Sequence, residues 1–246
     1  MFYKVKTIFT FCVFYVCLCF CANAQNTHKV TYKIQPINIM EPLEGQRKSY
    51  QDIMRKSIEY AENLEYILLF NQKKSHFSQK KVLQFDNSYM KDVHESTVKS
   101  FTNFYDEIFL LIEEDSLIFK RNFFNINYQV KRDNYDFDWE IENDTKTILN
   151  LKAYMANGKY HDLITDKSID IEAWFIPSIP IKTGPDIFSG LPGLIVEVHL
   201  PKVIIKAIKI DEVTNDSIKL PDQEVLMNYS EYKSLIMRLN KKVKEF

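Results

Sequence analysis

The sequence predicts an α+β domain built on a mostly antiparallel, meandering and curved β-sheet, with helices near residues 48–62 and 230–244. Segments that alternate polar and apolar residues, rich in Phe, Tyr and Ile, recur from residue 29 to residue 210. Turn residues separate several of these segments at hairpin distance, and hairpins pair strands in antiparallel fashion. Apolar residues recur at helical spacing near each end of the mature chain. A half-barrel is one form that such a sheet can take.

The first half of the chain is predicted to contain one helix among several strands. Residues 29–35 alternate, which predicts a strand with one solvated side, and apolar residues at helical spacing predict the helix at 48–62. A compact apolar run predicts a buried strand at 64–70. Residues 71–103 are polar and irregular, with weak strand signals near Val82–Phe85. Further strands are predicted at 104–112, 116–124 and 126–132, with a hairpin turn at Glu113–Ser116.

The second half is predicted to continue the sheet and to end in a helix. In residues 136–142, alternation places Phe137, Trp139 and Ile141 on one face of a strand. Asn157-Gly158 is the strongest two-residue hairpin signal in the chain, between predicted strands at 146–156 and 159–164. Later strands are predicted at 169–176, 193–200 and 203–210, the last two joined at Pro201-Lys202. The C-terminal helix opens at Asp222 or, on the better signal, at Ser230.

The first 24 residues show the three-part pattern of a secretory signal peptide. A short basic start precedes the apolar residues 7–20, and Ala22-Asn23-Ala24 supplies the small residues that a signal peptidase reads. The apolar run is shorter than the roughly 20 residues that span a bilayer, which disfavours a retained membrane anchor. A lipid on Cys21 is disfavoured because bulky Phe20 precedes it. We therefore expect an exported protein whose residues 25–246 form a single domain.

Composition excludes several classes of function for the mature chain. All four cysteines lie in the expected signal peptide, so the mature chain has no disulfide, thiolate chemistry or cysteine-bound metal. Losing Lys4 and Lys6 moves the net charge from −1 to −3 with neutral histidines, a balance that does not attract nucleic acid. No second apolar run reaches membrane length. A hydrophobic content of 46% indicates a folded domain rather than a disordered chain.

A passage between residues 176 and 195 is chemically distinctive. It holds three of the five glycines and four of the eight prolines in the chain. Proline fixes φ and glycine permits close backbone approach, so the mixture specifies one rigid path. That path is either a tight crossing between two parts of the sheet or a rigid binding loop. The candidate binding-loop residues are Trp174, Pro177, Pro180, Gly184, Pro185, Gly190, Leu191, Pro192, Gly193, Leu194 and Ile195.

The run Gly190-Leu191-Pro192-Gly193-Leu194-Ile195 resembles the signature of the GLPGLI family of exported proteins from Bacteroidetes-type bacteria. The similarity extends over about Tyr128 to Val198, through Trp139, Ala173-Trp174-Phe175, Ile179-Pro180 and Gly184-Pro185. Members often carry a cysteine where this chain has Ala153. The resemblance implies a location in the periplasm or envelope of a Gram-negative cell, and accessory or binding roles beside outer-membrane receptor systems.

Catalytic and metal-binding patterns are weak. Glu197 and His199 are two residues apart on a predicted strand and therefore share a face. Glu172, Asp170 or His161 could join them only through the fold. Asp133, Asp136 and Asp138 resemble part of a calcium loop but lack its glycine and closing glutamate. The sequence contains no HExxH zinc motif and no GxSxG nucleophile turn, and no cofactor is predicted.

Three hypotheses of function follow from these observations. The first is a non-catalytic binding or carrier module, in which a curved aromatic sheet and a rigid lip enclose an apolar ligand. The second is an accessory protein that docks on an outer-membrane receptor system through the motif or a sheet edge. The third is a carboxylate/histidine hydrolase, which requires Glu172, Glu197, His199 or His161 to converge in one cleft.

Overall fold

The structure, a computed structural model, describes residues 27–40, 43–81, 89–123, 126–162, 166–213, 217–222 and 226–244. The strands in these ranges are β1 (Thr27–Pro36), β2 (Glu65–Phe70), β3 (Lys74–Gln79), β4 (Glu107–Leu111), β5 (Ser116–Phe123), β6 (Ile126–Asp133), β7 (Glu140–Ile148), β8 (Leu151–Asp162), β9 (Lys167–Ile176), β10 (Leu194–His199), β11 (Val203–Val213) and β12 (Met227–Asn228). The helices are α1 (Lys48–Glu62), α2 (Tyr89–Thr102) and α3 (Tyr229–Lys244). The expected signal peptide and the strand signals near Val82–Phe85 lie outside the described residues.

One open sheet contains all twelve strands, in the order β12-β6-β5-β4-β3-β2-β1-β11-β10-β9-β8-β7. The first six strands meander outward from β1, and β7 to β11 meander back from the opposite edge until β11 pairs with β1. Every pairing is antiparallel except that of β12 with β6. The predicted α+β class and antiparallel meander are therefore confirmed.

The connection between β6 and β7 shows that the sheet is strongly curved. These strands stand ten places apart in the sheet, which would separate them by about 48 Å if the sheet were flat. The chain from Asp133 to Glu140 spans at most about 25 Å. The sheet must therefore curl until its two outer parts approach each other across one face, which we call the inner face.

The main hydrophobic core lies on this inner face. Val30, Tyr32 and Ile34 of β1 point into it, as their alternation predicts, and each is at most 3% exposed. Helix α1 contributes Met54 and Ala61. Because the curled sheet surrounds this core on several sides, segments distant in sequence meet there.

A smaller core covers part of the outer face. It contains Phe109 and Leu111 of β4, Ile118 of β5, and Ile218 from the chain that follows β11. Strand β12 then pairs with β6, and α3 packs its Tyr232 against Phe119 of the inner face. The C-terminal part of the chain therefore contacts both faces of the sheet.

Most predicted elements are found within a few residues of their expected bounds. Helix α1 matches its prediction, and the C-terminal helix begins at Tyr229, next to the predicted Ser230. The side chain of Asn228 accepts the Ser230 N–H at 2.8 Å, which caps the helix at that point. The turn predicted at Glu113–Ser116 is a 3-10 turn from Ile112 to Glu114. None of the described helices is long and apolar enough to cross a membrane.

The predicted hairpin at Asn157-Gly158 is wrong. Strand β8 runs through both residues to Asp162, and the two-residue turn lies at Leu149-Asn150, where φ is +50° and +63°. The reason is tertiary: a Cβ on Gly158 would stand 2.6 Å from Cε3 of the Trp139 indole. Gly158 therefore serves close packing in a strand rather than a turn.

Two further sequence predictions are corrected. The stretch 71–103, predicted to be irregular, contains β3 and the 14-residue helix α2. Helix α2 has few apolar residues because only one side of it is buried. The buried residues are Val98, Phe101 and Thr102. The strand predicted at 136–142 begins only at Glu140, and the side chain of Ile141 is 54% exposed.

Candidate functional site: the motif segment and the tyrosine–arginine surface

Residues 177–193, which we call the motif segment, connect β9 to β10 and lie against the inner face. Ile181, Ile187, Phe188 and Leu191 of this segment belong to the main core. Of the candidate binding-loop residues, Pro177, Pro180, Gly190 and Pro192 are exposed, whereas Gly184, Pro185, Leu191, Gly193, Leu194 and Ile195 are buried. Trp174 of β9 is also buried, and its indole N–H donates to Glu172 Oε1 at 2.7 Å.

Two glycines of the motif segment are required by close approach of other backbone. A Cβ on Gly193 would lie 2.5 Å from the carbonyl oxygen of Ile176, and one on Gly184 would lie 2.8 Å from that of Phe188. Real Cβ atoms essentially never come this close to another atom, and backbone cannot move aside cheaply. The glycines therefore allow the segment to fold back on the strands that flank it.

Hydrogen bonds tie the motif segment and β10 to distant parts of the chain. The Tyr32 hydroxyl donates to the Ile195 carbonyl oxygen at 2.6 Å, and the Trp139 indole N–H donates to the Ser189 carbonyl oxygen at 2.8 Å. The hydroxyl of Thr183 bonds that of Ser75 at 2.7 Å. These bonds reach β1, β3 and the chain before β7, so the segment is a fixed part of the core.

Asp186 is the buried carboxyl group of the motif segment, and sequence reasoning did not single it out. Its side chain is 6% exposed, and its Oδ1 accepts the Tyr105 N–H at 3.1 Å. Burial raises the pKa of Asp186 to about 7, although the N–H groups of Tyr105 and Ile187 and the charge of Arg121 act in the opposite direction. Asp186 therefore titrates near neutral pH.

Beside Asp186 lies a continuous surface of half-buried polar aromatic and basic side chains. We call it the tyrosine–arginine surface, and it consists of Asn103, Tyr105, Arg121, Arg132, Tyr135, Tyr160 and Tyr229. These residues come from the ends of α2, β5, β6, β8 and α3 and from the chain between elements. Only the curvature of the sheet brings them together, so no local sequence pattern marks them.

The surface is organised around two pairs in which an arginine lies over a tyrosine ring. The Arg121 guanidinium carbon lies 5.1 Å from the ring centre of Tyr105, and that of Arg132 lies 3.6 Å from the ring centre of Tyr135. The two tyrosine hydroxyls meet at 3.2 Å. Arg132 also contacts the ring of Tyr229, at 4.2 Å. Neither guanidinium forms an ion pair with any carboxylate in the described part of the chain.

Three of the four groups predicted for a hydrolase do converge, on the outer face. His199 Nε2 lies 2.6 Å from Glu197 Oε1, and His199 Nδ1 lies 3.5 Å from Glu172 Oε1. His161 is elsewhere, 3.2 Å from Asp166. Within the described ranges, no group of three or more His, Cys, Asp or Glu residues could hold a metal ion.

The buried carboxylate of this outer-face cluster is surrounded by positive groups. Lys146 Nζ lies 2.7 Å from Glu197 Oε1 and 3.9 Å from the Trp174 ring centre, and Lys206 Nζ lies 3.2 Å from Oε2. Burial acts to raise the pKa of Glu197, but hydrogen bonds from His199 and Lys146 and the ion pair with Lys206 outweigh it and lower the pKa. Glu197 therefore stays ionised and joins strands β7 to β11, which suits a structural role.

A serine–histidine pair between α1 and α2 also falls short of a catalytic arrangement. Ser57 Oγ lies 2.8 Å from His94 Nδ1 and 2.8 Å from the Ile53 carbonyl oxygen. A hydroxyl has one proton, and the carbonyl can only accept it, so His94 must act as the donor to Ser57. A histidine that donates to a serine cannot take its proton as a base.

The end of the sheet next to α1 and α2 carries an open groove of about 1120 Å³. Its lining mixes apolar and charged side chains, including Leu64, Tyr66, Lys91, Glu95 and Phe104. The Tyr60 hydroxyl donates to Glu95 Oε1 at 2.9 Å at its wall.

Comparison with known proteins places this chain near a family without an assigned activity. Residues 157–197 match the model of a Bacteroidetes-associated family described as "Protein of unknown function (Porph_ging)". The match covers the end of β8, β9, the motif segment and the start of β10. No curated protein matches the sequence.

Solved structures provide a match of the fold. The chain is similar to PNGF-II, in structures from its C2 and P21 crystal forms, with a TM-score of 0.53 and 13% sequence identity in each. The alignment covers 86% of this chain and 33% of that chain. This chain therefore spans about a third of the length of PNGF-II, and at this identity the similarity concerns the fold alone.

Proposed function

We propose that the protein is an exported, non-catalytic binding module of the bacterial envelope, which holds its ligand on the tyrosine–arginine surface. The observation that carries the proposal is the pair of half-buried guanidinium groups, Arg121 and Arg132, which lie over tyrosine rings and have no carboxylate partner among the described residues. Arginine and tyrosine are enriched at the centres of binding surfaces, because each combines a large contact area with a polar end.

Export is supported by the signal-peptide pattern of residues 1–24 and by the resemblance of the motif to envelope proteins. A non-catalytic role is supported by the two candidate catalytic arrangements. Glu197 is held by two lysines and His199, and Ser57 receives its hydrogen bond from His94. In each arrangement, the candidate catalytic group already forms hydrogen bonds or ion pairs that stabilise the fold.

Binding at a surface is better supported than enclosure of an apolar ligand by the sheet. The motif segment places Ile187, Phe188 and Leu191 in the core of the inner face, each at most 5% exposed. The space in which an apolar cargo would sit is therefore filled by the side chains of the protein. The tyrosine–arginine surface offers polar ends of aromatic side chains, which suits a ligand with polar groups.

Docking on an outer-membrane receptor system is the second candidate, since tyrosine and arginine are also common at protein interfaces. The tyrosine–arginine surface favours docking through side chains over docking at a sheet edge. Of the two edge strands, β12 has two residues, and β7 carries Glu140, Glu142 and Asp144 around a register shift. Short, charged and irregular edges resist addition of a further strand.

Native mass spectrometry of the protein, purified gently from the envelope of its natural host, tests the proposal. We expect the wild-type chain to carry a reproducible added mass, and the variant Tyr135→Ala to lose it. The control variant Tyr50→Ala removes a tyrosine that is 46% exposed on α1, away from the surface, and should keep the added mass. An added mass that Tyr135→Ala retains, or a bare mass for all three proteins, contradicts the proposal.

A further inference from the structure

We infer that the tyrosine–arginine surface binds an anionic group, a carboxylate, phosphate or sulfate, through the guanidinium groups of Arg121 and Arg132. This inference rests on the proposed function and adds the chemistry of the ligand.

Each guanidinium has five N–H donors, and the protein uses few of them here. Arg121 Nη2 donates to Asn103 Oδ1 at 2.6 Å, and Arg132 Nε donates to the Asp133 carbonyl oxygen at 2.8 Å. The other N–H groups of both arginines have no acceptor in the described ranges. Both side chains are only half-buried, so water can reach these N–H groups in the free protein and a bound anion can take its place. Carboxylates and phosphates match the planar fork of arginine and are its usual partners.

The buried acid nearby does not fill this need. Asp186 acts on Arg121 electrostatically, but the two groups do not form an ion pair. Its Oδ1 instead accepts the Tyr105 N–H at 3.1 Å, and it also accepts the Ile187 N–H. Asp162, the other buried acid on this side, accepts the side-chain amide of Asn103 at 3.2 Å. Among the residues that the structure describes, no carboxylate therefore makes a direct contact with either guanidinium group.

The tyrosines beneath the arginines add a further donor. The hydroxyls of Tyr105 and Tyr135 lie 3.2 Å apart, and in that bond one of them donates its proton to the other. Two hydroxyls have two protons, so the accepting tyrosine keeps one for a ligand. Burial raises the pKa of both tyrosines, which keeps both hydroxyls protonated at neutral pH.

Contacts with tyrosine rings restrict the movement of both guanidinium groups. The Arg121 guanidinium carbon lies 5.1 Å from the ring centre of Tyr105. Arg132 has rings of Tyr135 and Tyr229 against it, at 3.6 and 4.2 Å from their centres. The arginines are therefore held in place before a ligand arrives, which lowers the entropy lost on binding.

NMR titration of the full mature chain, with sodium phosphate, sodium sulfate and sodium citrate as separate probes, tests the inference at constant ionic strength. We expect at least one anion to shift the Nε–Hε signals of Arg121 and Arg132 in a saturable way. The variants Arg121→Gln and Arg132→Gln should each weaken its binding tenfold or more. The control variant Arg55→Gln, whose side chain is 59% exposed on α1, should bind as the wild type does.

Comparison of the three anions identifies the group that the site prefers, phosphate, sulfate or carboxylate. The inference is overturned if none of the three shifts the Arg121 and Arg132 signals saturably, or if both arginine variants bind with unchanged affinity. The wild-type signals report the location of binding even if a variant fails to fold. If the anions fail while the added mass in native mass spectrometry still depends on Tyr135, the anionic ligand is wrong and the proposed binding surface stands.

Discussion

The main-chain N–H of Tyr105 donates a hydrogen bond to the side chain of Asp186 across 81 residues of sequence, at 3.1 Å. This bond connects the motif segment to the tyrosine–arginine surface, because the ring of Tyr105 supports Arg121 and its hydroxyl contacts Tyr135. The buried motif segment thus acts as a scaffold for the surface that we propose binds the ligand. The glycines and prolines of this segment need not touch a ligand to be necessary for binding.

Titration of Asp186 should make the protein less stable as the pH rises from about 4 to about 7. The folded-state pKa of about 7 lies above the ordinary value of 3.8, so the native state binds more protons in this range. The loss of stability caused by ionising Asp186 is absent below pH 3.8 and complete above about pH 7. It amounts to at most about 4 kcal/mol of lost stability. Asp186→Asn keeps the Oδ1 acceptor, so we expect it to exceed the wild type in stability at pH 8 and to match it at pH 4.

Urea denaturation of both proteins at pH 4, 6 and 8 measures this difference. Asp170→Asn is the matched control, because the Asp170 side chain is 85% exposed and its salt bridge is a surface one. Parallel pH profiles for the wild type and Asp186→Asn would show that Asp186 ionises normally in the folded state.

Replacing Gly193 with alanine should destabilise the protein by about 3 kcal/mol, since the new Cβ would collide with the backbone of Ile176 and Pro177. Gly45→Ala is the comparison: a Cβ there meets nothing within 4 Å, although φ is +91°. That positive φ alone costs about 1 to 2 kcal/mol. Thermal and urea unfolding give both values. An equal loss for the two variants would mean that the segment yields to the added methyl group.

Substitutions in the turn between β7 and β8 should make the protein more stable. Leu149 and Asn150 both have positive φ, which a β-turn of this kind accepts best from Asn and Gly. The double variant Leu149→Asn, Asn150→Gly should therefore raise the free energy of unfolding by about 1 kcal/mol. Leu149→Ala removes the same partly exposed side chain without easing φ, and we expect little change from it. A double variant no more stable than Leu149→Ala in urea denaturation would refute this explanation.

Glu197→Gln should destabilise the protein at neutral pH by about 2 to 4 kcal/mol, because it removes the charge that partners Lys146, Lys206 and His199. The lowered pKa of Glu197 means that its stabilisation is present above its ordinary pKa of 4.5 and is lost as the pH falls below it. The wild type should therefore approach the variant in acid.

Acid titration of both unfolding free energies measures this convergence. Glu114→Gln breaks the exposed salt bridge to Lys131 and should cost at most about 1 kcal/mol. A loss for Glu197→Gln that is no greater than this control would indicate that the outer-face cluster contributes little.

Local patterns in the sequence determined the strands and helices that bury one face. The alternation of Val30, Tyr32 and Ile34 predicts which side of β1 faces the core. Apolar residues at helical spacing predict α1 with the bounds that the structure shows. These predictions succeed because a single element in contact with one core needs apolar residues at its own period. Helix α2 was missed because only a few of its residues are buried.

Tertiary structure alone decided the turn before β8 and the composition of the candidate site. Asn157-Gly158 has the local preference of a hairpin, but the indole of Trp139 occupies the space beside Gly158. The curvature of the twelve-stranded sheet brings together Tyr105, Arg121, Tyr135 and Asp186. The period of apolar residues predicts which side of a strand or helix is buried. Contacts between distant elements depend on the order of the strands and the curvature of the sheet, and no local sequence pattern encodes these.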